Sequence, residues 1–333
     1  MTIVDIAKES GYSVSTVSRV LNNKQDVSQK AKKRIMEVVE SYNFVPNNNA
    51  KHLKQTSTQT ILAIVKGNSN LLFANIIEQT QKIMEKTNYT LSVYYVDEYD
   101  NELDEAIMLN RERKPIGILF LGGDAHTKKT ETESLEIPCV MVTNEGEGYG
   151  ISNLSSVATD DAKAAEEIMD YLIKNGHTSI GVIGGDTALS QTALNRHKGY
   201  LKSLNKHGLT LLDDHFEKAR FSFDSAYRAM TRLLDKGQNL TAVVTMSDVM
   251  AIGAIRAIRD AGLNVPEDIS VVGFDGNLLA DYYNPKITTI RQGFDEMANR
   301  SVEILFNMID LKKPATHEII PYTLIEGESV RKI

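Results

Sequence analysis

The chain has 333 residues, 42% hydrophobic and 24% charged, which is enough for about two domains with sizeable cores and excludes a disordered polyelectrolyte. No apolar run approaches about 18 residues, and no basic stretch followed by an apolar one opens the chain, so neither a helical membrane span nor a secretory signal is expected and a cytoplasmic location is. The formal charge of −7 is unevenly divided. Residues 1–57 hold nine basic and five acidic side chains, a balance of +4, and the remainder carries −11, so a polyanion would meet the head rather than the body.

Taken in chain order, Thr2 caps a first helix, with Asp5 three residues on as a near capping box. This helix buries Ile6 and Ala7 and ends near Ser10–Gly11, where glycine tolerates a left-handed backbone. Ser13 caps a second helix, from Val14 to about Asn22. Ser28 caps a third, whose apolar positions Ala31, Ile35, Val38, Val39 and Tyr42 share one face, and Pro46 stops it. Three short helices, the first two joined by a tight glycine-containing turn, predict a helix-turn-helix headpiece over residues 1–46. The polar stretch "PNNNAKHLKQTSTQT" then reads as a linker over 47–59, with Asn47, Ala50, Leu53 and Lys54 at helical spacing.

From Thr60 strand-like runs ("TILAIV", "TLSVYYV", "GILFLGG", "CVMVTN") alternate with helix-length segments. The rhythm repeats after "YGISN" with "SIGVIGG", "FEKARFS", "TAVVTM" and "ISVVGFDG". Such alternation predicts two α/β lobes of doubly wound parallel sheet over residues 60–333.

If Ile6, Ala7, Val17, Val20 and Leu21 make the small core of the head, the second helix turns Val14, Ser15, Ser18, Arg19 and Asn22 outward, as a recognition helix does in the major groove. Arginine can pair bidentately with guanine, Ser15 can bond either partner and Val14 can touch a thymine methyl. Thr16, Ser18 and Asn22 suit phosphates. Catalytic alternatives find little support. Cys139, the one cysteine, reads as a buried hydrophobe in "PCVMV". "GVIGGD" lacks the dinucleotide-loop spacing, and His177 has no second ligand at metal spacing. No nucleophile elbow or phosphate loop is present, so neither an enzyme nor a cofactor is expected.

The stretch "IVDIAKESGYSVSTVSRVLNNKQDVSQKAKKRIMEVVESYNFVPNNNAKHL" resembles the headpiece of the lactose/galactose repressor family of bacterial transcription regulators. The similarity continues through "NGHTSIGVIGG", "NRHKGYL", "SDVMAIGAIRAIRDAGLNVPEDISVVGFDG" and "NPKITTIRQ", nearly the whole chain. The resemblance implies a body like a periplasmic sugar-binding protein. Lobe 1 would span about 60–156 and 291–321 and lobe 2 about 157–290 and 322–333, with crossings near Ser156, Ile290 and Pro321. It implies that the linker forms a hinge helix on DNA, with Leu53 wedged into the minor groove and Asn47 and Lys54 in contact with the duplex. Asn49 departs from the small apolar residue usual at the hinge.

For the cleft, the resemblance assigns Arg196 to grip the effector, Asp275 to accept from its hydroxyls or amines, Phe221 to pack on its face and Phe73 to meet it from the other lobe. Asp161 and Ser247–Asp248 match further polar contacts, the latter where Asn–Asp is common. The implied protein is a homodimeric repressor of carbohydrate-utilisation genes that binds a pseudo-palindromic operator and is controlled by a small effector, a sugar. No heptad tail precedes Ile333, so dimers are expected rather than zipped tetramers. Control by a purine-like corepressor or a protein partner, or a pure sugar-binding role for the body, stays open at this point.

Overall fold

The computed structural model describes residues 2–21, 27–42, 59–67, 70–123, 129–237 and 239–333. The chain divides into two units, Met1–Thr58 and Gln59–Ile333.

The first unit holds α1 (Ile3–Ser10), α2 (Val14–Leu21) and α3 (Gln29–Ser41). Local chemistry sets each boundary. Thr2 and Asp5 close a full capping box, Gly11 ends α1 in the left-handed region at φ 77°, and Ser28 Oγ accepts from the Ala31 amide. Ser13 Oγ accepts the Thr16 amide at 3.2 Å, which caps α2. Ile6, Ala7, Val17, Val20, Ile35 and Val38 form one small core, with Leu21 packed at its edge. Tyr42 departs from expectation: α3 stops at Ser41, well before Pro46, and the ring is 51% exposed, because a residue past the helix no longer follows its apolar stripe.

The second unit is two lobes built alike. Lobe 1 begins with β1 (Thr60–Lys66), α4 (Leu71–Met84), β2 (Thr90–Val96), α5 (Glu102–Arg113), β3 (Gly117–Leu121), α6 (Lys129–Glu133), β4 (Cys139–Thr143) and β5 (Leu154–Ala158). Lobe 2 follows with α7 (Asp161–Lys174), β6 (Ile180–Gly184), α8 (Gln191–Lys206), β7 (Phe216–Lys218), α9 (Phe223–Asp235), β8 (Ala242–Thr245), α10 (Asp248–Asp260), β9 (Ser270–Asp275), α11 (Leu278–Tyr282) and β10 (Thr288–Gln292). The chain then returns to lobe 1 for α12 (Phe294–Asp310) and β11 (His317–Ile319), and ends in lobe 2 with β12 (Tyr322–Ile325).

The sheet orders are β11-β5-β4-β3-β1-β2 and β12-β10-β9-β8-β6-β7. Every pair is parallel except β10 with β12. Strands β3, β4, β5, β6 and β9 are buried along their whole length, as expected where helices cover both faces of a sheet. In each lobe the strand order reverses beside the first strand, at β1 and at β6. Ligands of such sheets bind outside the carboxyl ends of the strands at this point. The lobes exchange chain after Ala158, after Gln292 and between Ile319 and Tyr322, so the first two crossings fall two residues beyond the expected Ser156 and Ile290.

Cys139 is fully buried in β4, and burial pushes its thiol far up, as suits a core hydrophobe. His177 is also fully buried. Its ring nitrogens lie 3.0 Å from Thr241 Oγ1 and 3.0 Å from the Arg331 carbonyl, so it fastens the C-terminal segment to lobe 2.

Candidate functional site

A cavity of about 370 Å³ lies between the lobes. It is lined by residues at strand ends: Lys66 on β1 and Gly67 after it, Asp97 after β2, Gly122 after β3, Thr143 on β4, Gly185 after β6, Ala219–Ser222 after β7 and Asp275 on β9. Each lobe contributes one aromatic seated over a glycine. A Cβ on Gly122 would stand 2.7 Å from Phe73 Cζ, and one on Gly185 would stand 2.7 Å from Phe221 Cε2. Gly122 of "GILFLGG" and Gly185 of "GVIGG" therefore make room for these rings, which gives the glycines of "GVIGGD" a packing role without a dinucleotide.

Arg196, on α8, is 3% exposed. Its Nε donates to Asp161 Oδ1 at 2.8 Å, its Nη1 donates to the Met246 carbonyl at 2.5 Å, and the guanidinium carbon stands 3.6 Å above the Phe274 ring. Asp275 Oδ1 lies 3.7 Å from Arg196 Nη1 and accepts from Gln292 Nε2 at 2.9 Å. Burial pushes the Asp275 carboxyl up to about 7, against the pull of Arg196 and Gln292, and burial likewise raises Asp161. Asp275 and Thr143 both hold φ in the left-handed region, at 104° and 80°. Non-glycine strain of this kind collects at ligand sites, and here one such residue ends a strand in each lobe.

Four of the seven effector positions expected from sequence line the cavity: Phe73, Arg196, Phe221 and Asp275. The other three stand behind the wall. Asp161 is consumed by Arg196. Ser247 caps α10 by accepting the Met250 amide at 3.3 Å. Asp248 is fully buried, accepting from Thr289 Oγ1 at 2.6 Å and from the Asn277 amide at 2.8 Å, so it ties strand β10 to the loop after β9. Burial and the neighbouring Asp275 hold the Asp248 carboxyl well above its ordinary range.

Sequence reasoning missed the rim of the cleft. Arg220 of lobe 2 reaches lobe 1, donating to Asp97 Oδ2 at 2.8 Å and Asp97 Oδ1 at 3.0 Å, and its guanidinium lies 4.2 Å over the Tyr99 ring. The Phe221 amide donates to Glu98 Oε2 at 3.3 Å. On the other side of the cleft Thr192 Oγ1 donates to Asn144 Oδ1 at 2.5 Å and Gln191 Nε2 to the Glu145 carbonyl at 3.2 Å. "VDEYD" and "ARFS" directly follow strands on either side of the switch points, and that position was the available signal.

In the first unit, α2 exposes Val14 (41%), Ser15 and Arg19, and half-buries Thr16 and Ser18. Ser13 Oγ lies 2.8 Å from Ser15 Oγ and 2.8 Å from Thr16 Oγ1, so the hydroxyls share the cap. Asn22, Asn47, Leu53 and Lys54, and with them the hinge, lie outside the described residues. Among the described residues no group of His, Cys, Asp and Glu is placed to hold a metal, and no helix is long and apolar enough to cross a membrane.

Known proteins match both units. Residues 2–47 fit the description "Bacterial regulatory proteins, lacI family", and residues 169–330 fit "Periplasmic binding protein-like domain". The chain is 35% identical to the HTH-type transcriptional regulator MalR of Clostridium butyricum, with 99% of each chain covered. It is 30% identical to the probable HTH-type transcriptional repressor ExuR of Bacillus subtilis, over 100% of this chain and 99% of that one. In fold it is similar to a Lac repressor dimer bound to operator and the anti-inducer ONPF, with a TM-score of 0.78, 22% identity and 99% of each chain covered. It is also similar to the transcriptional regulator CelR in complex with cellobiose, with a TM-score of 0.73, 23% identity and 99% of each chain covered.

Proposed function

The chain belongs to the lacI family of bacterial regulatory proteins and is a DNA-binding transcriptional regulator, and from that premise we propose that it represses carbohydrate-utilisation genes until a sugar enters the cleft between its lobes. The observation that carries the sugar reading is the cavity itself. Phe73 and Phe221 offer ring faces from opposite lobes, while Arg196 and Asp275 offer fixed polar groups, which is the pairing of apolar area with a few oriented hydrogen-bonding groups that such ligands need. CelR, whose structure is a complex with cellobiose, has a similar fold. Ligand affinity that differs between open and closed lobes would shift the population of closed molecules and so the DNA-bound state.

On the DNA side, Val14, Ser15 and Arg19 are the base readers of this proposal. Thr16, Ser18, Asn22 and Asn47 are backbone contacts, and Leu53 and Lys54 act in the minor groove. Two copies would bind a pseudo-palindromic operator. α11 exposes Leu278 (69%) and Tyr282 (82%), apolar surface that a second copy would cover. The test is operator binding by the full chain with and without a panel of sugars. Arg19→Ala should cost about 1–3 kcal/mol on the operator and little on random duplex. Equal losses on both duplexes would remove Arg19 from base readout, and an operator affinity indifferent to every sugar that stabilises the protein would sink the control scheme.

A further inference from the structure

We propose that Glu98 makes the cleft selective for uncharged, hydroxyl-rich ligands and against phosphorylated or carboxylated ones. This rests on the reading of the cavity as a sugar site and adds the charge class of the sugar.

The cations at the cavity are already taken. Among its described lining residues they are Lys66, Arg196 and Arg220. Lys66 Nζ lies 2.9 Å from Glu102 Oε2, with both side chains nearly buried at 12% and 4% exposed. Arg196 is held by Asp161, and Arg220 by both oxygens of Asp97. Against these three stand four lining carboxylates, Asp97, Glu98, Asp186 and Asp275. Asp186 takes Lys218 at 3.0 Å.

Glu98 is the carboxylate left with capacity. Its Oε2 accepts only the long bond from the Phe221 amide, at 3.3 Å. Its Oε1 is buried and has no hydrogen bond, and its nearest cation, Arg220 Nε, stands 3.4 Å away while Arg220 turns its other nitrogens to Asp97. A buried acceptor without a hydrogen-bond donor is costly, and a turn of the part-exposed carboxylate that brought Oε1 to a ligand hydroxyl would satisfy it. Burial raises the Glu98 carboxyl above its ordinary range, and a donated hydroxyl would favour the ionised form again. A phosphate or carboxylate reverses every term. It brings no donor to Oε1, sets a like charge beside Glu98 and Asp275, and finds each cation committed to a protein carboxylate.

The experiment is calorimetric titration of the full chain with matched probes: glucose, maltose and cellobiose, then glucose 6-phosphate and glucuronate. Wild-type protein should prefer its best neutral sugar over the charged probes by roughly a hundredfold, as expected when like charges meet in a desolvated contact. Glu98→Gln, which keeps an acceptor oxygen and removes the charge, should narrow that ratio by about tenfold or more. Glu98→Asp should keep the preference and guards against a variant that fails through misfolding. An equal or stronger response of wild type to the charged probes overturns this proposal and leaves the sugar reading standing, and so does an unchanged ratio in Glu98→Gln. Silence from all five probes on wild type overturns both.

Discussion

The two walls of the cleft are made by different physics. In and behind the lobe 2 wall Asp161, Arg196, Asp248 and Asp275 are each at most 3% exposed and held by bonds at fixed geometry. On the lobe 1 wall β2 is a half-exposed edge strand, and Tyr95 and Tyr99 are 58% and 50% exposed. The carboxyls record the contrast. Burial drives Asp161, Asp248 and Asp275 upward, whereas the bidentate bond from Arg220 draws Asp97 downward. One wall is preorganised, with its charges already desolvated before any ligand arrives. The other is close to water and takes its partners from the facing lobe.

The largest effect that would test this contrast is removal of one charge from the built wall. Asp161→Ala leaves Arg196 buried with Met246 and the more distant Asp275, and should lower unfolding free energy by about 3 kcal/mol, the low end of what a broken buried pair costs. Chemical denaturation reads this directly, and a loss below about 1 kcal/mol would mean that the wall is not organised around that pair.

Next is pH. The folded Asp275 carboxyl titrates near 7 against an ordinary 3.8, so between those values the native state holds more protons than the unfolded chain. Stability from this group is therefore full below about 3.8 and is lost as pH rises toward 7, with a slope of at most about 1.4 kcal/mol per pH unit. Asp275→Asn should flatten that part of the stability curve. The lowered Asp97 carboxyl has the opposite sign: its contribution is present above 3.8 and is lost only on further acidification, so Asp97→Asn should leave the neutral range untouched. If both variants changed the same pH window, the two walls would not differ as described.

The smallest effect belongs to the rim. Arg220→Ala should scarcely move the melting temperature, because both partners are open to solvent, yet a pair of fluorophores on the two lobes should report a wider cleft. Salt should mimic that variant, since exposed pairs are screened while the Arg196–Asp161 pair is not. Melting that follows the rim variant instead would place folding energy where the geometry does not.

What was legible in the sequence follows the same division. Caps at Thr2, Ser13 and Ser28 and the glycine end of α1 are decided by neighbours within three or four residues, and all four stand in the structure. The lobes were visible because buried parallel strands write continuous apolar runs, although β5 (LSSVA) was passed over for want of large apolar side chains. "FEKARFS" was read as one strand, yet β7 stops at Lys218 because the remainder turns to line the cavity. Asp161, Ser247 and Asp248 are placed at the ligand by the family resemblance, and a match of position does not reveal that groups of this chain's own fold consume them. The rim escaped because Arg220 and Asp97 stand 123 positions apart, and only the folded chain makes them a pair.

The three crossings, after Ala158, after Gln292 and between Ile319 and Tyr322, have a mechanical consequence. Two bodies joined by one strap can tilt, twist and slide. Joined by three, they have fewer ways to move against each other. A ligand that bridged the cleft would then act on two bodies whose relative motion is already narrowed by the path of the chain.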